Sequence, residues 1–168
     1  YVYAEASGAA NQSVATLTSP LMDMSSLTVP ELNFWYHMTG AQINELKTEV
    51  WSKSTGWVNV GSINGPQQSA TSDTFLLQTY TLSQFVDDTV LVKFSASRGF
   101  GNNNQADVAI DDFGFEEAPT CPDPSLLALQ SRTTTSITLQ WQAVNALSWD
   151  IQYGAPGAAL GATANTTT

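Results

Sequence analysis

Residues 31–38 read Glu-Leu-Asn-Phe-Trp-Tyr-His-Met and contain three consecutive aromatic residues. Aromatic residues are enriched in β-strands, where bulky side chains pack against their cross-strand neighbours. No window of eleven or more residues in the chain has apolar residues at helical spacing. The stretch therefore predicts a strand, and it sets the expectation for the rest of the chain.

Six further stretches up to residue 117 alternate with a period of two, as strands do. The opening residues 1–3, Tyr-Val-Tyr, alternate in the same way, and a turn at 54–56 predicts a hairpin. Short strands separated by Gly, Asn, Ser and Pro predict an all-β, antiparallel sandwich. The six stretches are 14–18, 45–51, 56–63, 75–82, 89–96 and 107–115.

The composition limits the classes of partner. Hydrophobic residues make up 42% of the 168 residues and charged residues 12%, with a net charge of −10. Nucleic acid and an anionic membrane surface are unsuitable partners, because both require clustered bases and the five here are scattered. No run of 18 apolar residues predicts membrane insertion. The acidity is compatible with cation binding, or it serves only solubility. The five bases are Lys47, Lys53, Lys93, Arg98 and Arg132.

A domain boundary is predicted in residues 116–124, Glu-Glu-Ala-Pro-Thr-Cys-Pro-Asp-Pro, because three prolines in six residues cannot continue a central strand. We expect a first domain at 1–117, a linker at 118–124 and a partial unit at 125–168. Strands at 136–141 and 148–153 are predicted in that unit. Cys121 is the only cysteine, so it is either a linker thiol or half of a disulfide whose partner lies elsewhere.

Several motifs now resemble one known family. Residues 32–40, followed by the strand at 46–51, resemble the central signature of MAM domains, which are extracellular adhesion modules. Asp-Val-Ala-Ile-Asp-Asp-Phe at 107–113 resembles the end of the same domain. Residues 1–8 and 15–20 are similar to the family's early strands. The resemblance implies a jelly-roll-like β-sandwich over about residues 1–117.

The chain departs from the family pattern in its cysteines and at its first strand, and each departure leads to a prediction. The cysteines that pair inside animal MAM domains are absent, which resembles the bacterial secreted type. The family's first strand would precede Tyr1 and is missing here, so we expect an open edge or an exposed apolar groove. Residues 122–154 resemble the opening strands of a fibronectin type III-like (Ig-like) module.

Two adjacent carboxylates, Asp111 and Asp112, interrupt the apolar run at 107–115. Successive residues of a strand face opposite sides, so one carboxylate is expected to point at or near the core. A Ca²⁺ ion would satisfy it, because calcium takes oxygen ligands, and some MAM domains carry such an ion near this strand. The predicted ligands are Asp111, Asp112, Glu5 and Asp107. The alternative is a carboxylate that accepts hydrogen bonds from backbone N–H groups.

Catalysis is not predicted. His37 is the only histidine, which excludes a two-histidine zinc site, and its neighbours predict a packed or half-exposed strand residue. A glycosidase needs two convergent carboxylates. Asp111 and Asp112 diverge across their strand, and Asp87 and Asp88 lie in a predicted turn.

A sugar site is a weaker prediction, because aromatic rings with polar neighbours bind sugars. Trp35 and Trp141 are expected in the core, whereas the tryptophans flanking the predicted hairpin are expected to be partly exposed. The polar loop 98–105 either lines such a site or is a plain surface loop. The candidate ligand-binding residues are Trp51, Trp57, Arg98, Phe100 and Asn103.

Three functions remain open. The first is a non-catalytic binding or adhesion module of a larger secreted or cell-surface protein, with a surface protein or glycan and other domains of the same polypeptide as partners. The second is a carbohydrate-binding accessory domain of a secreted polysaccharide-degrading enzyme or a protease. The third is a structural spacer.

Overall fold

The structure, a computed structural model, describes residues 1–101, 104–119 and 125–142. The chain divides into two compact units, Tyr1–Ala118 and Pro119–Thr168. Cys121 and the strand predicted at 148–153 lie outside the described residues. No helix in the described part is long and apolar enough to cross a membrane.

The first unit is an antiparallel β-sandwich of nine strands, which confirms the predicted fold class. One sheet has four strands in the order β1-β9-β4-β7. The other has five, in the order β2-β8-β5-β6, with β3 also paired to β8. The strands are β1 (Val2–Ala4), β2 (Val14–Thr18), β3 (Met22–Asp23), β4 (Pro30–Thr39), β5 (Ile43–Ser52), β6 (Gly56–Asn64), β7 (Leu76–Thr81), β8 (Thr89–Arg98) and β9 (Asp107–Glu117).

Each strand predicted in this unit is present, and the bounds differ from the predicted ones by a few residues at most. The β5–β6 hairpin is also confirmed, with Ser52 paired to Gly56 across the turn. Two elements were not predicted: the two-residue β3 and a single 3₁₀ turn at Ser83–Phe85. Both are too short to leave a periodic pattern.

The core lies between the inner faces of the two sheets. In β4 the even-numbered residues point inward, and Phe34 is fully buried against Phe94 of the opposite sheet, with ring centroids 4.9 Å apart. Burial of this apolar surface is the main favourable term in folding. The side chains with no exposed surface include Met24, Leu32, Phe34, Met38, Leu46, Val50, Leu82, Phe85, Val90 and Val92.

A β-bulge at Asp112 corrects the expectation that one of the two adjacent carboxylates faces the core. Between the pairs Trp35–Asp111 and Asn33–Gly114, β9 contains two residues, Asp112 and Phe113, whereas β4 contains one, Phe34. Asp112 has a φ of 45°, a left-handed conformation that aspartate tolerates better than most residues. The extra residue shifts the alternation, so Asp112 is exposed and Phe113 packs against the core.

Strand β9 is anchored where it ends. The Glu117 carboxylate accepts hydrogen bonds from the backbone N–H groups of Thr28 and Val29 and from the Thr28 hydroxyl. The Thr28 hydroxyl is the main cause that lowers the pKa of Glu117 below its ordinary value. These bonds attach the end of the last strand to the chain that enters β4.

The two lateral sides of the sandwich differ. Between the edge strands β6 and β7, the Tyr80 ring lies directly over Gly61, where a Cβ atom would come within 2.3 Å of the ring. Between the edge strands β1 and β2, an apolar groove is exposed. Its lining includes Val2, Leu17 and Phe94.

In the second unit, the described residues form an antiparallel hairpin of β10 (Ser125–Arg132) and β11 (Ile137–Gln142). The turn is closed by a hydrogen bond from the Thr133 backbone N–H to the Ser136 carbonyl. β11 was predicted. β10 was not, because its sequence is rich in leucine and lacks the β-branched residues that mark a strand.

We expect Gly61→Ala to destabilise the first unit by about 1–3 kcal/mol, because the new methyl group forces the Tyr80 ring to move. Gly114→Ala is the matched control: Gly114 also lies in a strand, and a Cβ there meets no atom within 4 Å. Its effect should stay within about 0.5 kcal/mol. Urea denaturation of both variants tests this, and equal effects would contradict the packing argument.

Candidate functional site

The outer face of the four-stranded sheet carries an unusual number of aromatic residues. Alternation in β4 places Trp35 and His37 on this face, and β1 contributes Tyr3. Tyr3 lies opposite Ala109 of β9, and Ala109 lies opposite His37 of β4. The three side chains therefore form one row across the sheet.

The small Ala109 side chain leaves a pocket in this row. Tyr3 and His37 stand two strand spacings apart, about 10 Å, with only a methyl group between them. Phe75 continues the row beyond His37, with ring centroids 5.4 Å apart and planes inclined by 44°. The Tyr1 ring lies 6.2 Å from Tyr3 and 6.1 Å from Phe75. We call this cavity of about 320 Å³ the outer aromatic pocket; it is lined by Tyr1, Tyr3, His37, Thr39, Thr71, Phe75, Asp107, Val108 and Ala109.

Polar groups lie at the rim of the outer aromatic pocket. The Thr39 hydroxyl is 2.9 Å from Nδ1 of His37, so the imidazole is held in place. His37 is only 8% exposed, which confirms the prediction of a packed strand histidine. Asp107 Oδ1 accepts a hydrogen bond from the Ala6 backbone N–H. A carboxylate has about four acceptor positions, so Asp107 has capacity for further donors.

Next to the pocket, Trp35 and Leu77 form an exposed pair. They lie directly opposite each other in β4 and β7, and they are 41% and 52% exposed. The prediction that Trp35 belongs to the core is wrong, because Phe34 and Tyr36 on either side of it occupy the inner face. Trp141, the other tryptophan expected in a core, is half-buried.

The four predicted calcium ligands do not form one cluster. Asp107 and Asp111 share the outer face of β9 but lie four residues apart, about 13 Å along the strand. Asp111 Oδ1 lies 3.1 Å from the amino group of Tyr1 and accepts the Asp112 backbone N–H. Within residues 1–101, 104–119 and 125–142, no group of three or more His, Cys, Asp or Glu side chains could hold a metal ion. The calcium prediction is not tested by this arrangement and stays a prediction.

Two of the four ligands are neighbours. Glu5 Oε1 accepts the Ser7 backbone N–H, which is the main cause that lowers the pKa of Glu5. The Asp107 side chain contributes a smaller part of that lowering. Asp107 Oδ1 also accepts a hydrogen bond from the backbone N–H of Ala6, the residue after Glu5. Glu5 and Asp107 are therefore the two predicted ligands that lie near each other.

The candidate sugar ligands divide between two places. Trp51 and Trp57 are cross-strand neighbours on the outer face of the five-stranded sheet. Trp57 is exposed, but Lys93 Nζ lies 4.1 Å from its ring centroid and covers one face. Lys93 also pairs with Glu49 at 2.9 Å. Charged side chains therefore surround the only exposed ring of the two.

Arg98 and Phe100 lie at the opposite end of β8. Arg98 is 5% exposed, and its guanidinium donates to the carbonyls of Ala9 and Gly101. Its role in the structure is to join two loops. Phe100 is 67% exposed, and Asn103 lies outside the described residues. The structure thus does not bring Arg98 and Phe100 together with Trp51 and Trp57.

The aromatic residues that do converge were not predicted as a site. Tyr1 and Tyr3 were recognised only as part of a strand, and Phe75 only as a strand end. The sequence does contain one indication of the pocket, the small residue Ala109 within β9. Ala109 indicates a pocket only once the register is known, because the register places it between Tyr3 of β1 and His37 of β4.

The fold and the motifs define a class of protein. Residues 1–122 match the family described as "MAM domain, meprin/A5/mu". Since the match covers most of the chain, this chain belongs to the MAM domain family. The matched range includes the whole first unit and the residues just after it.

A comparison with solved structures matched this chain to the K1 cleaved adhesin domain of Lys-gingipain from Porphyromonas gingivalis W83. It is 16% identical in sequence, the alignment covers 70% of this chain and 73% of that chain, and the TM-score is 0.43.

We expect Arg98→Lys to destabilise the first unit by about 1–3 kcal/mol, because one ammonium cannot reproduce the planar fork that reaches two carbonyls. Arg132→Lys makes the same chemical change at an exposed position of the second unit and should have almost no effect. Thermal unfolding measures both. An Arg98→Lys variant as stable as the unmodified chain would show that the two loops are held by other contacts.

Proposed function

We propose that the chain is a non-catalytic binding and adhesion module of a larger secreted or cell-surface protein, of the bacterial type. Membership of the MAM domain family supports this proposal. The hairpin β10–β11 would then begin a fibronectin type III-like unit.

The observation that carries the proposal is the outer face of the four-stranded sheet. Three large side chains on this face are exposed and are not part of the hydrophobic core: Trp35, Leu77 and Tyr3. Contiguous exposed apolar surface marks interaction sites in soluble proteins, and Trp and Tyr are the residues most enriched at binding hot spots. A rigid sheet presents these side chains without a large ordering cost.

The position of the only histidine supports the non-catalytic assignment. His37 is buried, bonded to Thr39 and packed against the Phe75 ring. Asp111 already contacts the Tyr1 amino group and the Asp112 N–H. Neither group is arranged as a free general base beside a second reacting side chain.

The proposal predicts saturable binding of the fluorescently labelled 168-residue chain to a surface, measured on bacterial cells, host cells and extracellular matrix with unlabelled chain as competitor. The double variant Trp35→Ser, Leu77→Ser should lose at least about tenfold in affinity, because hot-spot side chains contribute more than about 1.4 kcal/mol together. Trp57→Ser on the other sheet is the control. If no surface shows saturable binding, the chain is a spacer and the proposal fails.

Calcium remains a second, separate proposal. We propose that the ion binds at Glu5 and Asp107, because Asp107 already accepts a hydrogen bond from the backbone N–H of Ala6, the residue after Glu5. Backbone carbonyls and water would have to supply the remaining oxygen ligands that calcium takes. The ion would attach the loop after β1 to the start of β9.

Thermal unfolding in calcium and in EDTA tests the calcium proposal. A cation that binds only the folded state raises the unfolding temperature by mass action. We expect EDTA to lower the melting temperature, and Asp107→Asn to abolish the difference, whereas Asp112→Asn should leave it unchanged. The same melting temperature in calcium and EDTA would reject the proposal.

A further inference from the structure

The shape of the outer aromatic pocket selects a small, flat ligand. The Ala109 methyl group forms its floor, with Tyr3 on one side and His37 and Phe75 on the other. A stable protein partner buries about 800 Å² on each side, far more than this slot offers. A cavity of about 320 Å³ instead accommodates one or two rings of a small molecule.

The lining selects a ligand with one apolar face and several hydroxyl groups. Aromatic faces attract C–H bonds, since their π-systems are electron-rich. The rim adds the Thr39 and Thr71 hydroxyls and the Asp107 carboxylate, which accept hydrogen bonds from O–H donors. A pyranose ring combines these features, because its axial C–H bonds lie on one face and its hydroxyls point outward.

The charge of the pocket narrows the class of sugar. Among the described residues that line it, the side chains include a carboxylate, Asp107, but no lysine or arginine, and the Tyr1 amino group is already paired with Asp111. The whole chain carries a net charge of −10. Sulfated sugars and uronic acids would therefore meet repulsion at close range, whereas an uncharged sugar would not.

We propose that the outer aromatic pocket binds a neutral sugar residue of a surface glycan or polysaccharide, with its C–H face against Tyr3 and its hydroxyls on Asp107 and Thr39. This inference rests on the proposed binding function and names the class of ligand. It differs from the site predicted at Trp51 and Trp57, where Lys93 already covers the exposed ring.

Native affinity electrophoresis of the 168-residue chain tests the inference. The gels contain a neutral glucan, galactomannan or arabinoxylan, and parallel gels contain a sulfated galactan or a polyuronate. We expect retardation by at least one neutral polysaccharide and none by the charged ones. Tyr3→Ala should weaken it about tenfold by removing one stacking face, and Ala109→Leu should abolish it by filling the floor.

Trp57→Ala is the matched control, because it removes an exposed ring from the other sheet and should migrate like the unmodified chain. Tyr3 is exposed on an edge strand, so Tyr3→Ala keeps the test valid even if Ala109→Leu fails to fold. Retardation by charged polysaccharides alone, by no polysaccharide, or equally in Tyr3→Ala would overturn the inference.

Failure of this inference is distinguishable from failure of the proposed function. Saturable surface binding that neutral oligosaccharides do not compete, and that Tyr3→Ala leaves intact, would overturn the sugar assignment and leave the adhesion function standing. The absence of any saturable surface binding would remove both.

Discussion

The register between β9 and β4, with its extra residue at Asp112, is the constraint on which the first unit depends. Before the bulge, Val108 and Ile110 point into the core; after it, Phe113 and Phe115 do. Without the bulge, strict alternation would direct Asp112 inward and Phe113 outward. Burial of an unpaired carboxylate costs several kcal/mol, so a single residue in a left-handed conformation is the less costly solution.

Features of this fold that depend on a few consecutive residues are predictable from the sequence, whereas features that depend on pairing between strands are not. Period-two alternation at 31–38 and 89–96 is a property of a few consecutive residues, and both strands are found where it predicts them. The bulge at Asp112 is a property of pairing with β4, so alternation along β9 alone leads to the wrong orientation. Likewise, three consecutive aromatic residues do not reveal which face is inside, and Trp35 was assigned to the wrong one.

The candidate site was less predictable than the fold for the same reason. Tyr3 and His37 become neighbours only because β9 inserts Ala109 between their strands. Residue type alone suggests tryptophan as the sugar-binding residue. In the structure, however, Lys93 covers one face of the exposed Trp57 ring. Family motifs predicted the sandwich correctly, but they do not specify the ligand, since sites vary on a shared fold.

The central position of β9 has a mechanical consequence. The chain leaves the first unit at the end of this strand, so tension transmitted from the following residues acts along β9, between β1 and β4. Ladder hydrogen bonds lie perpendicular to an antiparallel strand, and the bonds to β4 therefore share the load instead of opening one after another. The bonds of Glu117 to Thr28 and Val29 lie at this end of β9, so they are among the first contacts that such tension would load.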